Sequence, residues 1–149
     1  MTETLKPFQT VRDILAQVAR LHRDSSARFA AAACACSDYR MRALLAFLEE
    51  RESEQLTALH RLQSSGDEAL ESFVQSVPSA ALEEAADASG VVAGFELVID
   101  AYRRRDEALL RFCRQLAGTA TLRARVLFAD LAAMHQRNQA RLREALLDC

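Results

Sequence analysis

Four long runs of apolar residues with three-and-four spacing constrain this chain more than any other feature of its sequence. Little turn-forming material separates the runs, since the 149 residues include 4 Gly and 2 Pro. A sheet of many strands would need a tight turn about every ten residues. Because apolar residues at this spacing form one face of an amphipathic helix, the pattern predicts an all-α protein.

The apolar runs are predicted to form two helical hairpins, at residues 8–63 and 91–147, joined by a long crossover at residues 64–90. Each long helix would extend about 40 Å, and the turn within each hairpin is very short. The two helices of a hairpin are therefore expected to lie side by side and antiparallel. The sequence predicts a single domain over residues 1–149, folded as an antiparallel four-helix bundle of the one-crossover type.

Residues with capping preferences mark the predicted helix boundaries. Ser37 and Asp38 offer an N-cap for the second helix. Gly118 is expected to follow the end of the third helix, where a left-handed residue is common. In the crossover, Ser65 and Glu68 have the spacing of a capping box, so a short helical segment is predicted to begin there.

A gapless internal repeat relates the two hairpins. Arg28-Phe29 matches Arg111-Phe112 at an offset of 83 residues. The same offset gives seven further identical pairs: Arg20 and Arg103, Arg40 and Arg123, Arg42 and Arg125, Leu44 and Leu127, Ala46 and Ala129, Leu48 and Leu131, and Leu59 and Leu142. Because the match crosses both hairpin turns without an insertion, we interpret the hairpins as two copies of one unit.

Charge and cysteine content indicate the compartment and exclude some partners. The formal net charge is −2, which gives no general attraction to nucleic acid. The 4 cysteines contain no CxxC motif and are expected to be reduced thiols. The N-terminal residues lack the apolar segment of a secretion signal, and no apolar run reaches the ~18 residues of a membrane span. We therefore expect a cytoplasmic protein without a membrane or nucleic-acid partner.

The stripes and the repeat resemble the ferritin-like superfamily, in its small rubrerythrin-type form, over about residues 11–146. In that family each hairpin carries a Glu shortly before a Phe-Tyr pair, and its second helix carries Glu-x-x-His. Phe29-Ala30 and Phe112-Cys113 stand where the Phe-Tyr pairs would be. The resemblance implies that the six ligand positions would hold two iron or manganese ions in the bundle centre.

The six positions that match the family's ligands hold mostly other residues: Arg23, Glu52, Gln55, Asp106, His135 and Asn138. Glu52 is unchanged and Asp106 is a shorter acid, whereas the guanidinium of Arg23 stays protonated and cannot ligate a metal. We therefore expect no metal, no cofactor and no catalytic residue. In their place we predict a buried polar cluster in which Arg23 neutralises the two carboxylates. A register shifted by one residue would place His22 inward instead.

Three functions remain open at this point. The first is a metal-free bundle that acts as a structural or protein-interaction module, which best accounts for the lost ligands. The second is a metal-binding protein or oxidoreductase with a reduced site at Glu52, Asp106 and His135. The third is an Arg-rich binder of an acidic partner. A homodimer is also expected, because residues 30–33 and Phe47 leave small or apolar surface on the first hairpin.

Overall fold

A computed structural model describes residues 9–74, 77–88 and 94–147. Its helices confirm the all-α class: α1 (Val11–Ala35), α2 (Tyr39–Gln63), α3 (Ser79–Ala88), α4 (Phe95–Thr119) and α5 (Leu122–Leu147). The crossover also contains a 3₁₀ turn at Glu68–Glu71. Among the described helices, none is long and apolar enough to cross a membrane.

A small antiparallel ribbon that the sequence analysis did not predict joins the start of the chain to the crossover. Its strands are β1 (Gln9–Thr10) and β2 (Phe73–Val74). The ribbon continues into α1, because the amide of Val11 donates to the carbonyl of Ser72 at 2.9 Å. Two-residue strands are too short to show the alternation by which strands are recognised in a sequence.

α1 and α2 pack against each other. Asp38 is the N-cap of α2, and its carboxylate accepts a hydrogen bond from the amide of Arg40 at 3.1 Å. Arg12 near the start of α1 donates to the carbonyl of Gln63 at the end of α2. This contact between the first turn of one helix and the last turn of the other shows that they run antiparallel.

The second hairpin differs from the prediction at its turn. Gly118 lies inside α4, so its predicted place after the helix is wrong. The chain leaves α4 through Ala120, whose backbone is extended (φ −84°, ψ 165°). An extended exit needs no left-handed residue, so the glycine is not required there. The predicted start of this helix at residue 91 falls outside the described residues, and α4 is first seen at Phe95.

The crossover is capped by a different residue from the one predicted. Asp67 is the N-cap of the 3₁₀ turn, where its carboxylate accepts from the amide of Ala69 at 2.9 Å. The predicted capping box of Ser65 and Glu68 is therefore wrong. The Ser65 hydroxyl instead donates back to the carbonyl of Leu62 at 2.7 Å, which closes the last turn of α2. The carboxylate of Asp67, which directly precedes the 3₁₀ turn, therefore caps it in place of Ser65.

The apolar stripes pack into two core clusters. The larger lies between the start of α1, the end of α4 and the start of α5, and it includes Leu70 and Val74 from the crossover. The smaller contains Phe29, Met41, Tyr102 and Leu142 with their neighbours. The repeat-related leucine pairs fall in the core: Leu44 and Leu127, Leu48 and Leu131, Leu59 and Leu142.

The three cysteines in the described part of the chain are free thiols: Cys34, Cys36 and Cys113. Cys113 is buried in the larger core cluster, as expected for a small apolar side chain. Burial raises the pKa of its thiol to about 12, so it stays protonated and unreactive. Cys149 lies outside the described residues.

Candidate functional site

Polar side chains that are buried in the described part of the chain come from all four long helices, two from each. We call them the central cluster: His22 and Ser25 of α1, Glu52 and Gln55 of α2, Arg105 and Asp106 of α4, and His135 and Asn138 of α5. Polar groups in an apolar interior lose their contacts with water and need partners within the protein. The hydrogen bonds and ion pairs of this cluster therefore decide what it can do.

Arg105 is the centre of the cluster and is fully buried. Its guanidinium forms an ion pair with Glu52 across the helices and another with the neighbouring Asp106 at 2.9 Å. It also donates to the hydroxyl of Ser25 at 3.1 Å, and it lies over the ring of Tyr102, 4.5 Å from the ring centre. One side chain thereby contacts α1 and α2 from α4, which joins the two hairpins.

Glu52 accepts from two donors on different helices. His22 donates from Nδ1 to Oε2 of Glu52 at 2.5 Å, and Arg105 pairs with the other carboxylate oxygen. Burial would raise the pKa of Glu52, but the charges and hydrogen bonds of Arg105 and His22 outweigh it and lower the pKa to about 2. Glu52 is therefore ionised throughout the physiological range, and an ionised carboxylate only accepts, so the proton in this bond belongs to His22.

Two histidine rings stack beside this ion pair. The ring centres of His22 and His135 are 5.7 Å apart, and their planes are inclined by 24°. His135 donates from Nδ1 to the carbonyl of Leu131 at 2.9 Å. Burial, with the nearby charge of His22 as a second cause, lowers the pKa of His135 to about 4. At neutral pH His135 is therefore uncharged, and its Nε2 is a bare acceptor that has no partner among the described residues.

The second buried acid, Asp106, is bound by the side-chain amide of Asn138. Asn138 donates to Oδ2 of Asp106 at 2.8 Å, and the same nitrogen lies 3.2 Å from the hydroxyl of Tyr102. Burial and the adjacent carboxylates of Glu52 and Asp106 raise the pKa of Tyr102 well above its ordinary range. The phenol therefore stays neutral, and its ring lies under the guanidinium of Arg105.

The structure places five of the six predicted cluster residues in the interior: Glu52, Gln55, Asp106, His135 and Asn138. Arg23 is exposed, so its predicted place beside the two carboxylates is wrong. The shifted register that would turn His22 inward is the observed one. The physical reason is helical spacing, because Val18, His22 and Phe29 share one face of α1, whereas Arg23 is rotated by about 100° from His22.

The cation that sequence reasoning missed is Arg105. Two signals in the sequence point to it. It lies between Tyr102 and Leu109 with three-and-four spacing, so it continues the apolar stripe of α4. It also lies 83 positions after His22, the offset of the internal repeat. A charged residue that continues an apolar stripe is a candidate for a buried ion pair.

The cluster does not fit a metal centre. The guanidinium of Arg105 lies between the carboxylates of Glu52 and Asp106, the two acids that a cation would need. Within the residues that the structure describes, no group of three or more His, Cys, Asp or Glu side chains could hold a metal ion. The alternative of a reduced site at Glu52, Asp106 and His135 is therefore not supported.

Comparisons with known proteins give no family for this chain. No protein-family model matches it, and no curated protein or solved structure is significantly similar to it. The chemistry of the central cluster and of the surface is therefore the basis for a functional proposal.

Proposed function

We propose that this chain is a metal-free helical bundle of the ferritin-like type that acts as a structural or protein-interaction module. The observation that supports this proposal is the position of Arg105, whose guanidinium pairs with both buried acids. In a di-metal protein of this type, carboxylates in the bundle centre are neutralised by metal ions. Here one protein cation does the same electrostatic work, and the centre becomes part of the scaffold.

Metal analysis tests this proposal directly. The purified full chain is expected to contain less than one equivalent of iron, manganese or zinc, and adding each metal should leave its melting temperature unchanged. The same metal content and melting temperatures are measured for Arg105→Met, because this variant lacks the cation and keeps both carboxylates. Stoichiometric metal in the parent, or stabilisation of the parent by one of these ions, would contradict the proposal, since a tightly bound ligand raises the stability of the folded state.

The interaction surface in this proposal is an apolar groove at one end of the molecule, of about 650 Å³. Tyr39, Phe47 and Phe95 line it together with Arg40, whose guanidinium lies over the ring of Phe95, and Tyr39 is 85% exposed. A second copy of the chain is the partner we propose for it. Phe47 was singled out as apolar surface by its sequence position, and residues 30–33 lie on the same hairpin with exposed or half-buried alanines.

Light scattering of the full chain is expected to give the mass of a dimer. Tyr39→Asp should shift it to the monomer, because it removes the exposed aromatic ring that the partner copy would cover and puts a hydrated carboxylate in its place. Leu122→Asp is the matched control, since Leu122 is 74% exposed but lies at the start of α5 and away from the groove. A monomer at high micromolar concentration, or equal effects of both variants, would rule out this surface.

A further inference from the structure

A second polar site lies on the surface between α2 and α5. It is a groove of about 210 Å³ whose polar lining residues are Arg51, Glu54, Gln55, Arg137, Asn138 and Arg141. Gln55 and Asn138 are buried members of the central cluster, Arg51 is half-buried, and Arg137 and Arg141 are exposed. The groove therefore leads from the surface to the polar interior, and it is separate from the apolar groove described above.

The groove is strongly basic. Three guanidinium groups face one carboxylate, Glu54, which pairs with Arg51 at 2.7 Å and with Arg141 at 3.6 Å. The groove therefore has a net charge of two positive charges. Arginine guanidinium groups bind carboxylates and phosphates through paired, charge-assisted hydrogen bonds.

The buried part of the groove has hydrogen-bonding groups without partners. Gln55 is only 4% exposed, and neither its amide nitrogen nor its amide oxygen has a partner among the described residues. Nε of Arg51 is also buried and lacks a partner within the same part of the chain. A buried polar group without a partner costs free energy, so the amide of Gln55 and the guanidinium of Arg51 are available to bind a ligand that enters the groove.

We infer that this groove binds a small oxyanion that carries two negative charges. Arg51, Arg137 and Arg141 supply the charge, and the amide nitrogen of Gln55 supplies a donor at the buried end. Glu54 holds Arg51 and Arg141 toward each other while leaving the net charge positive. A phosphate group and a small dicarboxylate share this chemistry, and the volume of the groove suits an ion of that size.

Calorimetric titration of the full chain with inorganic phosphate, at constant ionic strength and near neutral pH, tests the inference. Sulfate and succinate are titrated in parallel. Binding of phosphate and sulfate alone assigns a tetrahedral oxyanion, and binding of succinate alone assigns a dicarboxylate. If none of the three binds more tightly than chloride, the inference is wrong.

Variants separate this site from general attraction to a basic surface. Arg141→Gln should weaken binding about tenfold, because it removes one charged hydrogen-bond donor from an exposed position that does not affect folding. Glu54→Gln should strengthen it, since the competing carboxylate is gone. Arg125→Gln is the matched control, as this exposed arginine of α5 does not line the groove. Equal weakening by Arg141→Gln and Arg125→Gln would overturn the inference.

Discussion

Arg105 is expected to be the most sensitive charged position in the chain. Arg105→Met removes the cation and leaves the carboxylates of Glu52 and Asp106 buried without it, which should lower the free energy of unfolding by about 3–5 kcal/mol. Urea denaturation measures this change. Arg104→Met is the matched control, because Arg104 is the preceding residue of α4 and is exposed.

Urea denaturation also tests whether His22 or Arg23 of α1 faces the interior. Arg23→Ala should change the free energy of unfolding by no more than about 0.5 kcal/mol, as for other exposed positions. A large loss of stability in Arg23→Ala together with a small one in Arg105→Met would contradict the arrangement of the central cluster.

His135 should make the stability of the fold depend on pH in mildly acidic solution. Its pKa is about 4 in the folded chain, against an ordinary value of 6.5. As the pH falls between these values, the unfolded chain takes up a proton that the folded chain does not, so the free energy of unfolding decreases, by a total on the order of 3 kcal/mol. Above this window the contribution of His135 is constant.

Urea midpoints measured across this range check the prediction. His135→Asn should flatten the pH dependence, whereas His60→Asn, which changes an exposed histidine of α2, should leave it as in the parent. If stability depends on pH in the same way in His135→Asn and in the parent, His135 is not the group responsible. At lower pH, Glu52 adds a further loss as the pH falls from 4.5 toward its folded pKa of about 2.

The membership of the central cluster could be predicted from sequence better than its connections. Glu52, His135 and Asn138 continue apolar stripes, so their burial follows from helical spacing alone. The choice between His22 and Arg23 is harder, because both are polar and adjacent, and an error of one residue turns a different side chain inward. Which cation pairs with which acid depends on contacts between helices. Arg105 is the last of three consecutive arginines, and the sequence interpretation did not single it out.

The start of α1 is stabilised by a capping box between Thr10 and Asp13. The hydroxyl of Thr10 accepts from the amide of Asp13 at 3.2 Å, and the carboxylate of Asp13 accepts from the amide of Thr10 at 3.1 Å. Thr10→Ala should lower the free energy of unfolding by about 1 kcal/mol, because the helix loses its N-cap. Thermal or urea denaturation measures this change.

Thr57→Ala is the matched control for this helix cap. Thr57 is an exposed threonine within α2, where its hydroxyl donates back to the carbonyl of Ser53. Alanine has a higher helix propensity than threonine, so this change should be neutral or slightly stabilising. If Thr10→Ala is as harmless as Thr57→Ala, the capping box does not stabilise the fold.

The positions of the helices could be predicted from the apolar stripes. The residues at which they begin and end depend on which of several neighbouring residues forms the cap. Of the two predicted N-cap candidates, Ser37 and Asp38, the structure has Asp38, the residue directly before the helix. Ser65 was misassigned because Asp67 caps the 3₁₀ turn, and Gly118 because α4 ends in the extended residue Ala120, which needs no glycine. The ribbon of β1 and β2 joins residues that are distant in the sequence, and no local pattern encodes that pairing.

The crossover is part of the core, so it does more than link the hairpins. Leu70 is fully buried in the larger core cluster together with residues of α1, α4 and α5. Leu70→Ala should therefore lower the free energy of unfolding by about 2–5 kcal/mol through the cavity it creates. Leu122→Ala is the control, because that leucine is 74% exposed. Similar stabilities of the two variants would show that the crossover contributes little to folding.

The ion pair between Arg105 and Glu52 has a consequence for how the protein opens. It connects α4 of the second hairpin to α2 of the first, so separating the hairpins would break this pair and expose the apolar core around it to water. We therefore expect local opening that releases one hairpin alone to be rare compared with fraying of the helix ends. Amide hydrogen exchange near the middle of α2 and α4 should therefore report the global free energy of unfolding, and the two halves should exchange as one cooperative unit.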